Sequence, residues 1–462
     1  MRRGAPPLHV TADGKLNRTA IGAIGERHAR AATSGEGSPP SMTSSALRED
    51  APPPARRSVS GSMALKTASD LVSRGVRMLL AVVAARLLGP AGFGDYSYAF
   101  AVGFLLGELA DLGLHLFIAR EVARDPGAPI GALVRLKLAV TLAAGAVGLV
   151  VGLLAGAASP RRTLVWLLTA AWLMASFVEM LNQVFRGHQR MEREVAVAVT
   201  MAITSFGLGT GALLSGLGAL GLAWALVAGH LVALALALAL AAQLLDRRQW
   251  SSEGAALPQG FLREAGPLAV VMLASPLYFQ LDLLMLGWMS TPHAVGDMSA
   301  VQRMIGGAMM LPGVVRAAVF PAFVASRSAS ARRRLATLTF VGLMAAGALM
   351  SAVVWWMGGP LVRLVFGPDY ASAVLPLQLL TTALVWMVPE LAIGPMLFAA
   401  GQQRPYAALW TATVLLIAAG DLWAVPAHGA AGAAAVKLVV TLGLVAGEVI
   451  VLFRVRDHLG AS

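Results

Sequence analysis

The sequence contains no cysteine, which removes disulfides, thiolate metal sites and cysteine nucleophiles from consideration. It also leaves the compartment unreadable from redox chemistry. Charge is scarce as well: Asp, Glu, Lys and Arg make up 13% of the 462 residues, against roughly a quarter in a soluble globular domain. There is no phosphate-binding loop, no ATPase signature and no nucleophile motif. The histidines have no metal-ligand spacing. The chain reads as a non-enzyme with no metal and no cofactor, so any energy it uses comes from a gradient or from substrate flow.

What the sequence has instead is apolar length. Hydrophobic residues make up 57% of it and mean hydropathy is +0.71. Runs such as 138–158, 217–245 and 335–357 carry few or no charges, and about 20 apolar residues suffice to cross a hydrocarbon core. The net charge of +12 invites a nucleic-acid reading. The basic residues punctuate hydrophobic segments rather than cluster with aromatics, so no nucleic-acid partner is expected. Residues 1–61 differ from the rest: rich in Arg, Pro, Ser and Gly, they hold no apolar run of signal-peptide length. They read as a disordered basic cytoplasmic tail or as the product of a misassigned start, with Met42 or Met63 as the true one.

The pattern predicts an all-α polytopic membrane protein of about twelve helices in two lobes. Spans fall near 63–88, 94–117, 133–157, 163–185, 195–216 and 219–245, then near 264–289, 296–320, 334–357, 372–400, 406–424 and 431–453. This gives an N-lobe at 62–245, a cytoplasmic linker at 246–260 and a C-lobe at 261–462. Alternate loops then hold Arg120, Arg124, Arg186, Arg190, Arg193, Arg247, Arg248, Arg263, Arg327, Arg332, Arg333, Arg334 and Arg404, and the C-terminal tail adds Arg454 and Arg456. The opposite loops hold only Arg161, Arg162 and Arg363. Basic residues stay on the cytoplasmic side, so both termini are expected there.

The halves repeat each other. Phe93-Gly94-Asp95 recurs as Val295-Gly296-Asp297, Gly187-His188-Gln189-Arg190 as Gly401-Gln402-Gln403-Arg404, and Gly218-Ala219-Leu220-Gly221 as Gly429-Ala430-Ala431-Gly432. The offsets are 202, 214 and 211 residues. Six helices per repeat return the chain to its starting side, so the repeats are parallel and a cavity is expected between lobes that rock.

Several segments resemble the polysaccharide-biosynthesis flippases: Ala85-Arg86-Leu87-Leu88-Gly89-Pro90, Phe93-Gly94-Asp95-Tyr96 and Asp111-Leu112-Gly113-Leu114 in the first half. In the second half they are Gly266-Pro267-Leu268, Tyr278, Asp282-Leu283-Leu284-Met285-Leu286-Gly287, Leu311-Pro312, Val319-Phe320-Pro321 and Phe366-Gly367-Pro368-Asp369-Tyr370. The resemblance covers residues 62–454. It implies the multidrug/oligosaccharidyl-lipid/polysaccharide exporter fold, two six-helix lobes around a central cavity. It also implies flipping of an isoprenoid-diphosphate-linked oligosaccharide across the cytoplasmic (inner) membrane for polysaccharide or O-antigen biosynthesis. Membrane lipids, H⁺ or Na⁺, and polysaccharide polymerases or glycosyltransferases are the partners this entails.

Ionisable groups inside a span are costly and mark functional candidates. Lys66, Asp70, Arg74 and Arg77 share one face of the first helix, whose other faces are apolar. Arg74 and Arg77, with Arg303 from the eighth helix opposite and Lys66 nearby, are the candidate diphosphate ligands, since Arg offers paired donors to a dense anion. The bland alternative pairs Asp70 with Arg74, leaves Arg77 to helix ends and assigns Arg316 to the loop charge bias. Asp70, Glu108, Asp111, Asp282 and Glu390 are the candidates for ion coupling or for a polar cavity wall, with pairing to arginines as their structural explanation. Glu108, Asp111 and His115 share a face as a candidate relay. Glu179, Asn182, Gln183 and Arg186 read as helix-end packing or a sugar contact. Gly306-Gly307 and Gly216-Leu217-Gly218 read as close helix contacts, and Trp355 and Trp356 as interfacial anchors. Two other functions compete: a cation-coupled drug exporter, for which an acidic cavity is expected, and an O-antigen polymerase or ligase, for which a large external loop is expected.

Overall fold

A computed structural model describes residues 59–111, 113–125, 130–154, 160–250, 261–309, 329–399 and 402–459. Most of the expected N-terminal tail, most of the linker, Arg316 and the motifs at 311–312 and 319–321 lie outside the described residues. Among the described residues the elements are helical, with no strand. They are α1 (Val59–Leu109), α2 (Leu114–Arg124), α3 (Gly131–Leu154), α4 (Pro160–Gly187), α5 (Met191–Leu214), α6 (Gly218–Ala241) and a short α7 (Arg247–Trp250). The second half has α8 (Phe261–Met289), α9 (Pro292–Ala308), α10 (Ala329–Val365), a 3-10 turn (Pro368–Ala373), α11 (Val374–Ala399) and α12 (Gln403–Leu459).

Two of these helices are double. Gly89 (φ 67°) breaks α1 and Gly429 (φ 54°) breaks α12, both in a region that a side chain with a Cβ rarely adopts. Pro90 follows the first break, where a missing N–H costs nothing at a helix start. With these breaks the twelve expected crossings are in place: 59–88, 90–109, α3 to α6, α8 to α11, 403–428 and 430–459. Among the described residues seven helices, with Gln403–Leu452 counted once, are long and apolar enough to span by length and composition alone. α1 and α9 are not among them, and these two carry Arg74, Arg77 and Arg303.

The second crossing ends sooner than its hydropathy predicts. α1 stops at Leu109, the chain turns through Gly113 (φ 76°), and α2 leaves as a separate amphipathic helix. Its Leu114, Ile118 and Val122, four residues apart, are buried against Ile130, Leu133, Leu181 and Phe185. In α6 the buried positions Ala225, Gly229, Ala233, Ala237 and Ala241 also recur every four residues. Small residues at that spacing let helices approach closely where no hydrophobic drive exists within lipid. Gly216 (φ 74°) and Gly218 (φ 62°) are not such contacts, contrary to the sequence reading: they form the turn between α5 and α6, and nothing lies within 4 Å of a Cβ at either. Of the Gly306-Gly307 pair only Gly307 packs closely, with a Cβ there 2.7 Å from Met78 Cε.

The lobes meet chiefly through α1 on one side and α8 and α9 on the other. The interlobe hydrogen bonds gather at one end, around the Gly89 break. Arg86 donates from Nε to the Val365 carbonyl at 2.7 Å and from Nη2 to that of Leu364. Arg161 Nη1 donates to the Gly287 carbonyl at 2.9 Å, and Tyr370 Oη to that of Ala85 at 2.9 Å. All four acceptors lie in the last turn of a helix, where carbonyls have no intrahelical partner. Each lobe therefore caps the other's helix ends, and each bond contributes about 0.5–1.5 kcal/mol net.

Within the N-lobe, a Cβ at Gly103 would lie 2.7 Å from the Leu168 carbonyl oxygen, whereas one at Gly145 would make an ordinary 3.5 Å contact with Leu173. Gly103→Ala is expected to cost about 1–3 kcal/mol by overpacking and to lower the melting temperature of the purified protein in detergent by several degrees. Gly145→Ala should leave it unchanged within a degree or so. Equal melting curves for the two variants would contradict this packing.

Candidate functional site

A cavity of about 890 Å³ lies where the N-lobe faces α9, lined mostly from the N-lobe and on the C-lobe side by α9, within the range of small-molecule sites. Its wall runs from Lys66, Glu179, Arg186 and Glu194 at one end to Tyr96 and Phe100, just below the capped helix ends, at the other. Arg74 and Arg77 line it from α1, and Arg303 lines it from α9. The sequence-predicted residues Lys66, Asp70, Glu108 and Asp111 line it too, so seven of the nine candidates share one space. Asp282 and Glu390 do not line it.

Its charges divide into paired and unpaired. Lys66 Nζ reaches Asp70 at 3.0 Å and Glu194 at 2.7 Å. Arg186 Nε bonds Glu194 at 2.9 Å and Nη1 meets Glu179 at 3.1 Å. Asn182 and Gln183 donate to the same Glu179 at 3.2 and 2.6 Å. Asp111 is held by His115 and by the fully buried Lys137, whose Nζ lies 3.2 Å from Oδ1 and also donates to Ser176. Two sequence readings change as a result. Asp70 pairs with Lys66 rather than Arg74, and Asp111 pairs with a lysine and a histidine rather than an arginine. Lys66, offered as an anion ligand, is already held by two carboxylates.

Three cations remain. Among the described residues Arg74, Arg77 and Arg303 have no carboxylate at ion-pair distance. Arg74 and Arg77 are both exposed to the cavity, and Arg77 lies within electrostatic range of Arg74, Asp70 and His230. The Arg303 guanidinium sits 4.8 Å from the centre of the Phe100 ring, a cation–π contact that leaves its edge donors free. Phe100 packs edge-on to Trp172 at 5.1 Å, which in turn meets Phe104 at 4.8 Å. Glu108 is the one lining carboxylate without an ion-pair partner among the described residues.

A second chamber of about 420 Å³ opens beside the first, walled by the C-lobe and by Phe104 of α1, and Gln302, Arg303 and Gly306 line both. Lys437 lines it and is ion-paired with Asp282, which is fully buried. Asp421, also fully buried, lies in electrostatic range of that pair, and neither of its oxygens has a hydrogen-bond partner. Tyr406 Oη donates to Glu390 at 3.1 Å, with the fully buried Glu448 close by. Both predicted carboxylates of the C-lobe are thus set inside the helix bundle.

Lys137, Lys437, Glu194, Asp421 and Glu448 were missed in the sequence. The signal was available: Lys437, Asp421 and Glu448 each stand alone in an apolar run, the criterion that flagged Asp282. What sequence spacing does not supply is the pairing between helices, such as Asp111 with Lys137 or Asp282 with Lys437.

Two lobes of six helices about a central cavity define the fold of the multidrug/oligosaccharidyl-lipid/polysaccharide (MOP) exporters. Solved structures agree. The lipid II flippase MurJ in an inward closed conformation matches with a TM-score of 0.65 at 14% identity, covering 85% of this chain and 87% of that one. An inward-facing multidrug resistance MATE family transporter matches at 0.61 and 14%, covering 83% and 94%. A MOP superfamily transporter from Pyrococcus furiosus, whose reverse polarity of binding pocket suggests a different function, matches at 0.55 and 14%, covering 87% and 95%. No curated protein shows significant similarity to the sequence. A profile of the polysaccharide biosynthesis protein family matches residues 61–327. The chain belongs to that family and is a multi-pass membrane protein.

The buried Asp282–Lys437 pair carries its own check. Lys437→Met leaves a carboxylate unpaired inside the bundle, a loss of about 3–5 kcal/mol, and is expected to cut the yield of monodisperse protein severely. The double variant Asp282→Asn with Lys437→Met should recover most of it. A single variant that purifies like the parent would contradict the pairing.

Proposed function

We propose that this protein flips an isoprenoid-diphosphate-linked oligosaccharide across the cytoplasmic membrane by alternating access, with both termini and the basic loops on the cytoplasmic side. The observation that carries this reading is the unpaired set Arg74, Arg77 and Arg303 in a cavity whose acidic residues are, Glu108 apart, already neutralised. A diphosphate offers dense negative charge, and guanidinium groups approaching from both lobes engage it through charge-assisted bonds. The lobes, 62–245 and 261–462, move about the linker 246–260, and the capped helix ends then close the far side while the cavity faces the cytoplasm. Membership of a polysaccharide biosynthesis family supports a sugar-bearing cargo, and the likeness to a lipid II flippase supports a lipid-linked one. The phenyl and indole faces of Phe100 and Trp172 suit the apolar faces of sugar rings.

A second reading, a cation-coupled exporter of the same superfamily, has Glu108 in its favour. It would place an organic cation against that carboxylate, beside three arginines that repel it.

Arg74→Ala, Arg77→Ala and Arg303→Ala are each expected to lower surface polysaccharide at least ten-fold in a polymer-producing host, with membrane levels of the protein unchanged. Drug susceptibility should not move, and Glu108→Gln should leave export within two-fold. Wild-type polymer levels in the Arg74 and Arg77 variants would overturn the diphosphate site. Altered drug susceptibility in Glu108→Gln with normal polymer would select the exporter reading.

A further inference from the structure

The repeated Gly-Asp segment, first visible as a sign of duplication, is longer than the sequence comparison suggested. Pro90-Ala91-Gly92-Phe93-Gly94-Asp95-Tyr96-Ser97 aligns with Pro292-His293-Ala294-Val295-Gly296-Asp297-Met298-Ser299 at a constant offset of 202 residues. Proline, glycine, aspartate and serine coincide at four positions of the eight. Each segment opens a helix: the second half of α1 and α9 respectively.

In the structure these copies pack against each other, and the contacts are reciprocal. A Cβ at Gly94 would overlap the Pro292 carbonyl, and a Cβ at Gly296 would overlap the Pro90 carbonyl. Ser299 Oγ donates to Ser97 Oγ at 2.7 Å, and both serines are buried. Glycine of each copy meets proline of the other, and serine meets serine. This is the pattern of a two-fold interface, in which residue i meets j and j meets i, realised here within one chain. The aspartates turn outward to their own lobes: Asp95 to Arg161 at 2.7 Å, and Asp297 to His293 at 3.3 Å. Arg161 also donates to Gly287 across the interface, so the crossing is braced by the helix-end caps described above.

Resting on the alternating-access reading, we propose that segments 90–97 and 292–299 are the extracytoplasmic gate of this protein, a two-fold crossing of glycines and serines that parts once per transport cycle. Its chemistry suits a contact that opens and reseals. No ion pair joins the two copies among the described residues, so parting them strands no charge. The groups they expose are carbonyls, hydroxyls and glycine backbone, which water satisfies as well as protein does. Glycine at 94 and 296 lets the backbones touch, which seals the crossing without side chains that would have to interdigitate again. Tyr96, at the inner end of the gate segment, and Phe100, one turn further in, form the cavity roof, so opening here gives the cargo its exit.

The cysteine-free sequence allows a direct test. Ser97→Cys with Ser299→Cys places two thiols where two hydroxyls now bond. Copper phenanthroline is expected to join them in most chains, read by protection from a maleimide mass tag. Oxidation should lower polysaccharide export at least ten-fold, and reductant should restore it. A disulfide that forms in most chains while export continues, or a failure of the thiols to join, would overturn the gate. A second measurement needs no cargo. Gly306→Cys faces open cavity, with nothing within 4 Å of its Cβ. Its labelling by an impermeant maleimide from the extracytoplasmic side should rise several-fold when Gly94→Ala is added. Gly296→Ala should raise it by a similar factor. Unchanged labelling in both would overturn the proposal whatever the cargo proves to be. Normal gating in these assays with no effect of any arginine variant on polymer would reject the flippase reading and leave the gate standing.

Discussion

Within a bilayer there is little water to satisfy a charge or a helix end, and each must find a partner in the protein or line a wet space. The arrangement of this molecule follows from that constraint. Lys137 and Asp111, Lys437 and Asp282, Lys66 and Glu194 are solutions of the first kind. Arg74, Arg77 and Arg303 are solutions of the second, and they mark where the wet space is. The same rule governs the backbone, since the carbonyls freed at the Gly89 break and at the ends of α8 and α10 are capped by the opposite lobe.

The division explains why α1 does not qualify as a span by composition and yet is central. It gives its polar face to the cavity, its broken middle to the interlobe contact, and its second half to packing against α4 and α9. A helix with these three duties cannot also be uniformly hydrophobic. α6, which lines the cavity with only Leu222, Leu226 and His230, is free to be mostly Ala and Leu.

Most of the fold was legible in the sequence because apolar length and loop charge are strong, additive signals. The twelve crossings and the two-lobe arrangement emerge from them with boundaries shifted by a few residues. The early end at Leu109 was hidden because Leu114 to Phe117 keep the hydropathy high beyond a turn that only Gly113 announces. The cavity cations were legible as charges out of place on one face of α1. Their partners were not: whether a carboxylate neutralises an arginine depends on which helices touch, and a period of 3.6 residues speaks only of one helix at a time. Asp70 could have paired in either direction along α1, and Glu194, on α5, decides the matter by holding Lys66.

The end of the cavity away from the helix-end caps is ringed by Lys66 and Arg186 against Asp70, Glu179 and Glu194, a collar with no excess of positive charge. On the flippase reading proposed above, an anionic headgroup gains no net attraction from this ring itself, because its two cations are already held by its three carboxylates. On that reading, attraction comes only when the charge reaches Arg74, Arg77 and Arg303 beyond the ring. A lipid-linked diphosphate would then be told from bulk lipid by the depth at which charge goes unbalanced.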